Sequence, residues 1–319
     1  MIERPIVDDV TVIVPTVGRP LVRDCLESII EGDSWPAELL VIDQSRTAEI
    51  GVYVEALRRR GLIARYLPMR GRGVAAAVNH GVDEVRTPSV AITNDDCRVA
   101  RRWLRRLRDR QRELGAPAVV TGRVVPEEGH EVPSVIMSTI PAIYRRALNG
   151  RDVLFAANML TPLEVWQAVG PMDEDPLFVA AEDNEWAYRV LRAGFPIVYE
   201  PKSVVVHMAW RDRSALDQVA WRYARGQGAF YGKYLRRADL HLARRAGADL
   251  LRGLWWWLRG EVGGDRALAE RGRAGSVGLM EGLVAGVVRG GPLVGPAGRR
   301  APTPNRDGDG KGESEGKRG

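Results

Sequence analysis

Cysteine is scarce: Cys25 and Cys97 are the only two in 319 residues. Such a pair makes neither a disulfide framework nor a zinc site, so a reducing compartment is the natural setting. Long uncharged runs are missing as well. No stretch reaches the ~18 apolar residues that span a bilayer. The opening MIERPIVDDVTVIV lacks the basic-then-apolar order of a secretion signal. These absences predict a cytoplasmic protein, at most peripheral at the inner face of the plasma membrane. Lysine is rare too, four of 47 basic residues, and such an imbalance can arise from the base composition of the gene alone. The net charge of +6 therefore does not indicate a nucleic-acid partner. The densest basic cluster, RRWLRRLRDRQREL (101–114), interleaves Trp103, Leu104, Leu107 and Leu114, as expected of a surface helix with a solvated basic face.

What is present is enough apolar residue, 45% of the chain, for a full α/β core and a second small unit. Strand and helix patterns alternate over the first ~120 residues, which predicts a mostly parallel sheet covered by helices. Strands are expected at 10–16, 38–45, 62–68, 89–95 and 118–126, with helices at 19–32, 48–60, 73–85 and 101–114. From 127 to 152 the pattern loosens, and a connection that long inside a domain usually has a functional role. VLFAANML (153–160) reads as a strand. Thr161, Pro162 and Glu164 read as the N-cap, first position and capping-box acid of a helix stopping at Gly170. A further helix is expected from Asp183 to Ala193, then two short strand pieces ending at His207. Two helices, 240–262 and 276–291, and a low-complexity tail complete the chain. The predicted division is a catalytic domain over 1–235, a helical extension over 236–294 and a disordered tail over 295–319.

Acidic residues gather where strands end. Asp43 follows LLVI, and Asp95 and Asp96 follow SVAITN. Ligands of a parallel α/β sheet bind at the carboxyl ends of its strands. Adjacent carboxylates repel unless a cation or donors absorb the charge, and an open pair suits a hard divalent ion that keeps water and takes phosphate oxygens. Mn²⁺ or Mg²⁺ therefore fits better than zinc. GRGVAA (71–76) formally matches a dinucleotide fingerprint, but it follows the third strand, whereas that motif occupies the first turn.

The ordered series VTVIVPTVGRP, LLVIDQS, RGRGVAAAVNHGV, ITNDDC, AANML, GPMDED, AAEDNEWAYRVLRAGFPIVYEP and VVVH resembles the inverting glycosyltransferases of family 2 over residues 9–235. The resemblance implies a GT-A fold and a nucleoside-diphosphate sugar as donor. It implies that Pro15, Thr16 and Asp43 hold the nucleoside. Gly73 and Asn79 would lie beside ribose and phosphates, and Asp95 would touch ribose or sugar. It further implies that Asp96 carries the metal, with His207 completing its shell, and that Asp183, with Glu182 beside it, is the catalytic base. Val78 stands where the family often has arginine, and Asn94 where it often has an aspartate. Each residue also has a plainer local reading: helix-dipole acids for Glu182 and Asp183, a polar strand cap for His207, a turn former for Asp43, helix surface for Asn79. Trp186 either stacks on an acceptor sugar or packs beneath the loop. Trp255, Trp256 and Trp257 beside Arg252 and Arg259 suit either a membrane-interface contact or packing on protein, including a homodimer. The expected activity is metal-dependent single displacement onto a hydroxyl of a saccharide, lipid-linked or small-molecule acceptor. The alternatives are a sugar-phosphate nucleotidyltransferase, against which the single glycine of PTVGRP argues, and a degenerate carbohydrate-binding partner subunit.

Overall fold

The computed structural model describes residues 4–289, apart from 46, 72, 149–151 and 212. The N-terminal part alternates β1 (Ile6–Thr16), α1 (Val22–Ile30), β2 (Trp35–Asp43), α2 (Glu49–Arg59), β3 (Ala64–Pro68), α3 (Val74–Asp83) and β4 (Ser89–Ile92). It continues through β5 (Cys97–Val99), α4 (Trp103–Glu113), β6 (Val119–Pro126), β7 (Ala142–Tyr144), β8 (Met159–Pro162), α5 (Leu163–Val169), α6 (Glu182–Arg192) and β9 (Ile197–His207). Three long helices follow: α7 (Arg213–Leu235), α8 (Leu240–Gly263) and α9 (Arg266–Arg289).

The strands form one sheet in the order β3-β2-β1-β4-β8-β6-β9-β5, with β7 also paired to β9. β3, β2, β1 and β4 run parallel, and β8 enters antiparallel between β4 and β6. β1 alternates exposed and half-buried positions at its start, then is buried continuously from Val10 to Thr16. Helices on both faces impose that uniform burial. One apolar layer packs α1, α2 and α4 on the sheet; the other packs α3, α5 and α6.

Several expectations need correction. Residues 153–158 are not strand: Ala156–Asn158 form a 3-10 turn, and the strand begins at Met159. Thr161 and Pro162 end that strand, and no side chain caps α5, although Gly170 does terminate it with φ 87°. The two short pieces before His207 are one eleven-residue strand, β9. The last helix starts at Arg266, ten residues earlier than its apolar pattern indicates. The 295–319 tail lies outside the described residues.

The basic helix α4 buries Trp103, Leu104 and Leu107, as its spacing predicts. Its arginines are not all free: Arg108 and Arg112 pair with Asp9, and Arg105 with Asp33. α7 and α9 lie parallel at very close approach. A Cβ on Gly282 would lie 1.8 Å from the Arg225 carbonyl oxygen, one on Gly286 2.2 Å from that of Ala229, and one on Gly228 2.1 Å from that of Leu279. Glycine at these helix positions is therefore a packing requirement, since any side chain would force the helices apart.

Candidate active site

The carboxyl ends of β1 and β4, the 3-10 turn before β8, the start of α6 and the end of β9 open onto one cleft. Its volume is about 890 Å³. Pro15, Thr16, Gly73, Asp95, Asp96, Glu182, Asp183 and His207 all line it. Residues separated by up to 192 positions thus meet in one crevice because strand ends converge there.

Asp95 and Asp96 leave β4 in different directions and have different company. Asp95 accepts from the Thr16 hydroxyl at 2.7 Å and pairs with Arg19 at 2.5 Å. Burial nonetheless pushes its carboxyl above the ordinary range, and the Asp96 charge adds to this against the pull of Arg19. Asp96 lies beside His207 because β5 and β9 pair with Cys97 opposite His207. Burial alone would raise its pKa too. The His207 ring and the Trp210 N–H, at 2.9 Å, outweigh burial and hold Asp96 at about 2.

His207 has the geometry of a metal-ligating histidine. Its Nδ1 sits 3.2 Å from the Ser134 carbonyl, which can only accept, so Nδ1 carries the proton. Nε2 then faces Asp96 Oδ2, 3.7 Å away. A proton on Nε2 or a divalent cation could occupy that gap. The Asn94 Oδ1 atom, whose residue also lines the cleft, is buried without a hydrogen-bond partner among the described residues. Among the described residues no cluster of three His, Cys, Asp or Glu forms a self-sufficient metal cage. Two protein donors match a hard ion that completes its shell from water and phosphate.

Arg19 and Trp210 escaped the sequence reading. Their side chains stack, guanidinium 4.5 Å from the ring centroid, and Arg211 covers Trp210 at 3.9 Å. The signal was available, since Arg19 lies inside PTVGRP and Trp210-Arg211 follow His207 directly.

Across the cleft, Asp183 Oδ1 accepts from the Asn184 N–H at 2.8 Å, and Oδ2 from the Ala156 N–H at 3.3 Å. These contacts aim the carboxyl, yet burial, with the Glu182 charge second, drives its pKa strongly upward. Burial raises Glu182 also, and its Oε2 has no hydrogen-bond partner among the described residues. The backbone leading in is strained: Ala180 has φ 70°. α7 presses on the same turn, where a Cβ on Gly226 would meet the Val179 carbonyl at 2.4 Å.

Two sequence-assigned residues lie behind the cleft. Asp43 is buried, accepting from the Ser45 N–H and hydroxyl and from the Tyr66 hydroxyl at 2.8–2.9 Å. It shapes the turn after β2, and its neighbour Gln44 reaches the cleft, accepting from the Gly73 N–H at 2.8 Å. Asn79 is not helix surface: it bonds the Met172 N–H and carbonyl at 2.9 Å and Glu174 at 2.8 Å. Its geometry braces the GPMDED turn instead of facing phosphates. Trp186 is wholly buried on Trp166 and donates to the Gly170 carbonyl, so it packs beneath the loop. Val78 is core. Asn158 of AANML, fully buried, ties Trp103, Arg123 and Ser203 together.

The sheet brings an acid pair after its fourth strand and a buried carboxylate opening α6 to one cleft, and the comparisons with known proteins place this arrangement among glycosyltransferases. Residues 11–153 match the family model described as Glycosyl transferase family 2. Among solved structures the fold is similar to a mannosyltransferase of Pyrobaculum calidifontis, PcManGT, in complex with GDP-Man and Mn²⁺. The TM-score is 0.58 at 18% identity, over 89% of this chain and 88% of that one. It is similar also to TarS of S. aureus, with TM-score 0.54 at 14% identity, over 82% of this chain and 54% of TarS. TarS residues 1–349 in complex with UDP-GlcNAc give TM-score 0.53 at 13% identity, over 85% and 90% of the two chains. No curated protein matches the sequence.

Proposed function

We propose that this glycosyltransferase moves a sugar from a nucleoside diphosphate to an acceptor hydroxyl in one inverting displacement, with a divalent ion at Asp96 and His207. The observation that carries the reading is the opposition of two differently charged sites across one cleft. On one side stand the low-pKa Asp96 and the His207 Nε2 atom 3.7 Å from it; on the other, the raised carboxyl of Asp183. Mn²⁺ or Mg²⁺ held there would neutralise charge on the departing diphosphate. Arg19 and Arg211 offer further positive charge beside the same position. Pro15, Thr16, Gly73 and the amide of Gln44 form the wall against which a nucleoside fits, with Asp43 shaping the turn behind it. Asp95, already receiving the Thr16 hydroxyl, faces the ribose or sugar.

Asp183 takes the acceptor proton as the hydroxyl attacks. A desolvated, raised carboxyl is the stronger base for that task, and its aim is set by the Ala156 and Asn184 amides. Glu182 tunes that basicity through its neighbouring charge. One base without an enzymic nucleophile gives inversion. The nucleotide-sugar complexes of PcManGT and TarS support a donor of this class. The catalytic region is read as 1–235, with α7 the rib on which the 236–294 extension docks. Release of nucleoside diphosphate from a panel of nucleotide sugars, with Mn²⁺ and then with chelator, tests the reading. Metal-dependent release and a product of inverted anomeric configuration are expected; metal-independent turnover or retention would overturn it.

A further inference from the structure

Helix α8 carries two stripes of opposite use. Arg245, Asp249, Arg252, Gly253 and Trp256 line the catalytic cleft. On the adjoining arc Leu251, Trp255, Leu258 and Val262 follow at intervals of four, three and four, which is a single face of an α-helix. That face points to solvent: Trp255 is 53%, Leu258 65%, Leu251 69% and Val262 89% exposed. It runs for about 16 Å at the rise of an α-helix. A soluble helix ordinarily turns such a face inward, and a contiguous outward one marks a docking surface.

The charges on the arc say what docks. Arg244, Arg252 and Arg259 are exposed on it or at its border with the cleft. The Arg259 guanidinium lies 5.0 Å from the Trp255 ring centroid. Neither acid of α8 shares this arc: Asp249 turns into the cleft against Tyr231 and Arg252, and Glu261 accepts from Trp257 on another face. Aliphatic side chains, an exposed tryptophan and arginines without interspersed carboxylates match an interfacial helix on an anionic bilayer. A symmetric second copy on this face would bring the exposed Arg244 and Arg259 of the two helices together.

We propose that α8 lies on an anionic lipid surface, with Leu251, Trp255, Leu258 and Val262 in the acyl boundary and Arg244 and Arg259 at the phosphates. No helix among the described residues is long and apolar enough to cross a membrane, so the contact is peripheral. Because the two stripes adjoin, docking opens the cleft at the headgroup layer, where a lipid-borne hydroxyl acceptor would enter. That last consequence rests on the glycosyltransferase reading; the docking itself does not.

The test is co-sedimentation of the full chain with phosphatidylglycerol–phosphatidylcholine vesicles and with phosphatidylcholine alone. Wild type should pellet with the anionic vesicles and be released by salt. Trp255→Glu with Leu258→Glu should weaken binding about tenfold or more. Neither residue lines the cleft, so nucleoside-diphosphate release from the donor should persist and reports that the variant is folded. Arg259→Glu should weaken binding to anionic vesicles specifically. Wild type left in the supernatant, or a double variant pelleting like wild type, would overturn the proposal. A vesicle-independent dimer that the double variant splits would assign the face to a second copy instead.

Discussion

Asp183 and Asp96 are two buried aspartates driven in opposite directions by their neighbours. For Asp183 the sign is clear: a raised carboxyl stays protonated, and unable to accept, until pH climbs past the ordinary carboxylate range of about 4. Turnover should therefore rise with pH along a limb set by Asp183. Asp183→Asn should abolish that limb and lower turnover by about 10²–10⁴ while nucleotide affinity stays unchanged. Rate and calorimetric titrations on the same preparation check both. At Asp96 the Trp210 indole N–H occupies the oxygen that faces His207. Trp210→Phe keeps an aromatic ring between Arg19 and Arg211 but removes that donor, so Mn²⁺ should bind more tightly by calorimetry; weaker binding would mean the indole supports the site. That the acid pair, His207 and Asp183 would meet in one cleft was legible because each sits in a short run at an element boundary. The surroundings of Asp43 and Asn79 were not legible, because their partners, Tyr66, Met172 and Glu174, are distant in the chain.

The elements that hold the site depend on buried polar joints. Lys233 of α7 is fully buried and bonds Asp173 at 2.6 Å and Glu185 of α6 at 3.1 Å. Arg189 and the Tyr234 hydroxyl complete the shell of Glu185. This cluster clamps the GPMDED turn between α6 and α7. Lys233→Met leaves Glu185 and Asp173 short of a counter-charge and should destabilise by about 3–5 kcal/mol in denaturant unfolding. A loss below about 1 kcal/mol would mean that water or Arg189 compensates. Strand and helix periods of the first half were readable, since burial on both faces writes continuous apolar runs. α7 was not, because its contacts are small residues and its hidden lysine mimics a surface position. The AAN turn was misread as strand because periodicity cannot distinguish a buried 3-10 turn from a buried strand.

At the scale of the whole molecule, the sheet brings strand ends from both halves of the chain to one cleft, and the C-terminal helices roof its far side. The fold class was visible in the order of motifs, whereas the sheet order was not. The insertion of β8 antiparallel beside β4 is decided by tertiary pairing that no local pattern encodes. The same pairing sets how Asp96 meets His207, since β5 must lie against β9. The central claim, that these two residues hold a cation which holds a diphosphate, is most directly tested by titrating UDP and GDP into wild type and Asp96→Ala, with and without Mn²⁺. Wild type should bind one of the two far more tightly with Mn²⁺ present, and Asp96→Ala should lose that gain while keeping the metal-free affinity. An Mn²⁺ effect that survives intact in Asp96→Ala would contradict the assignment.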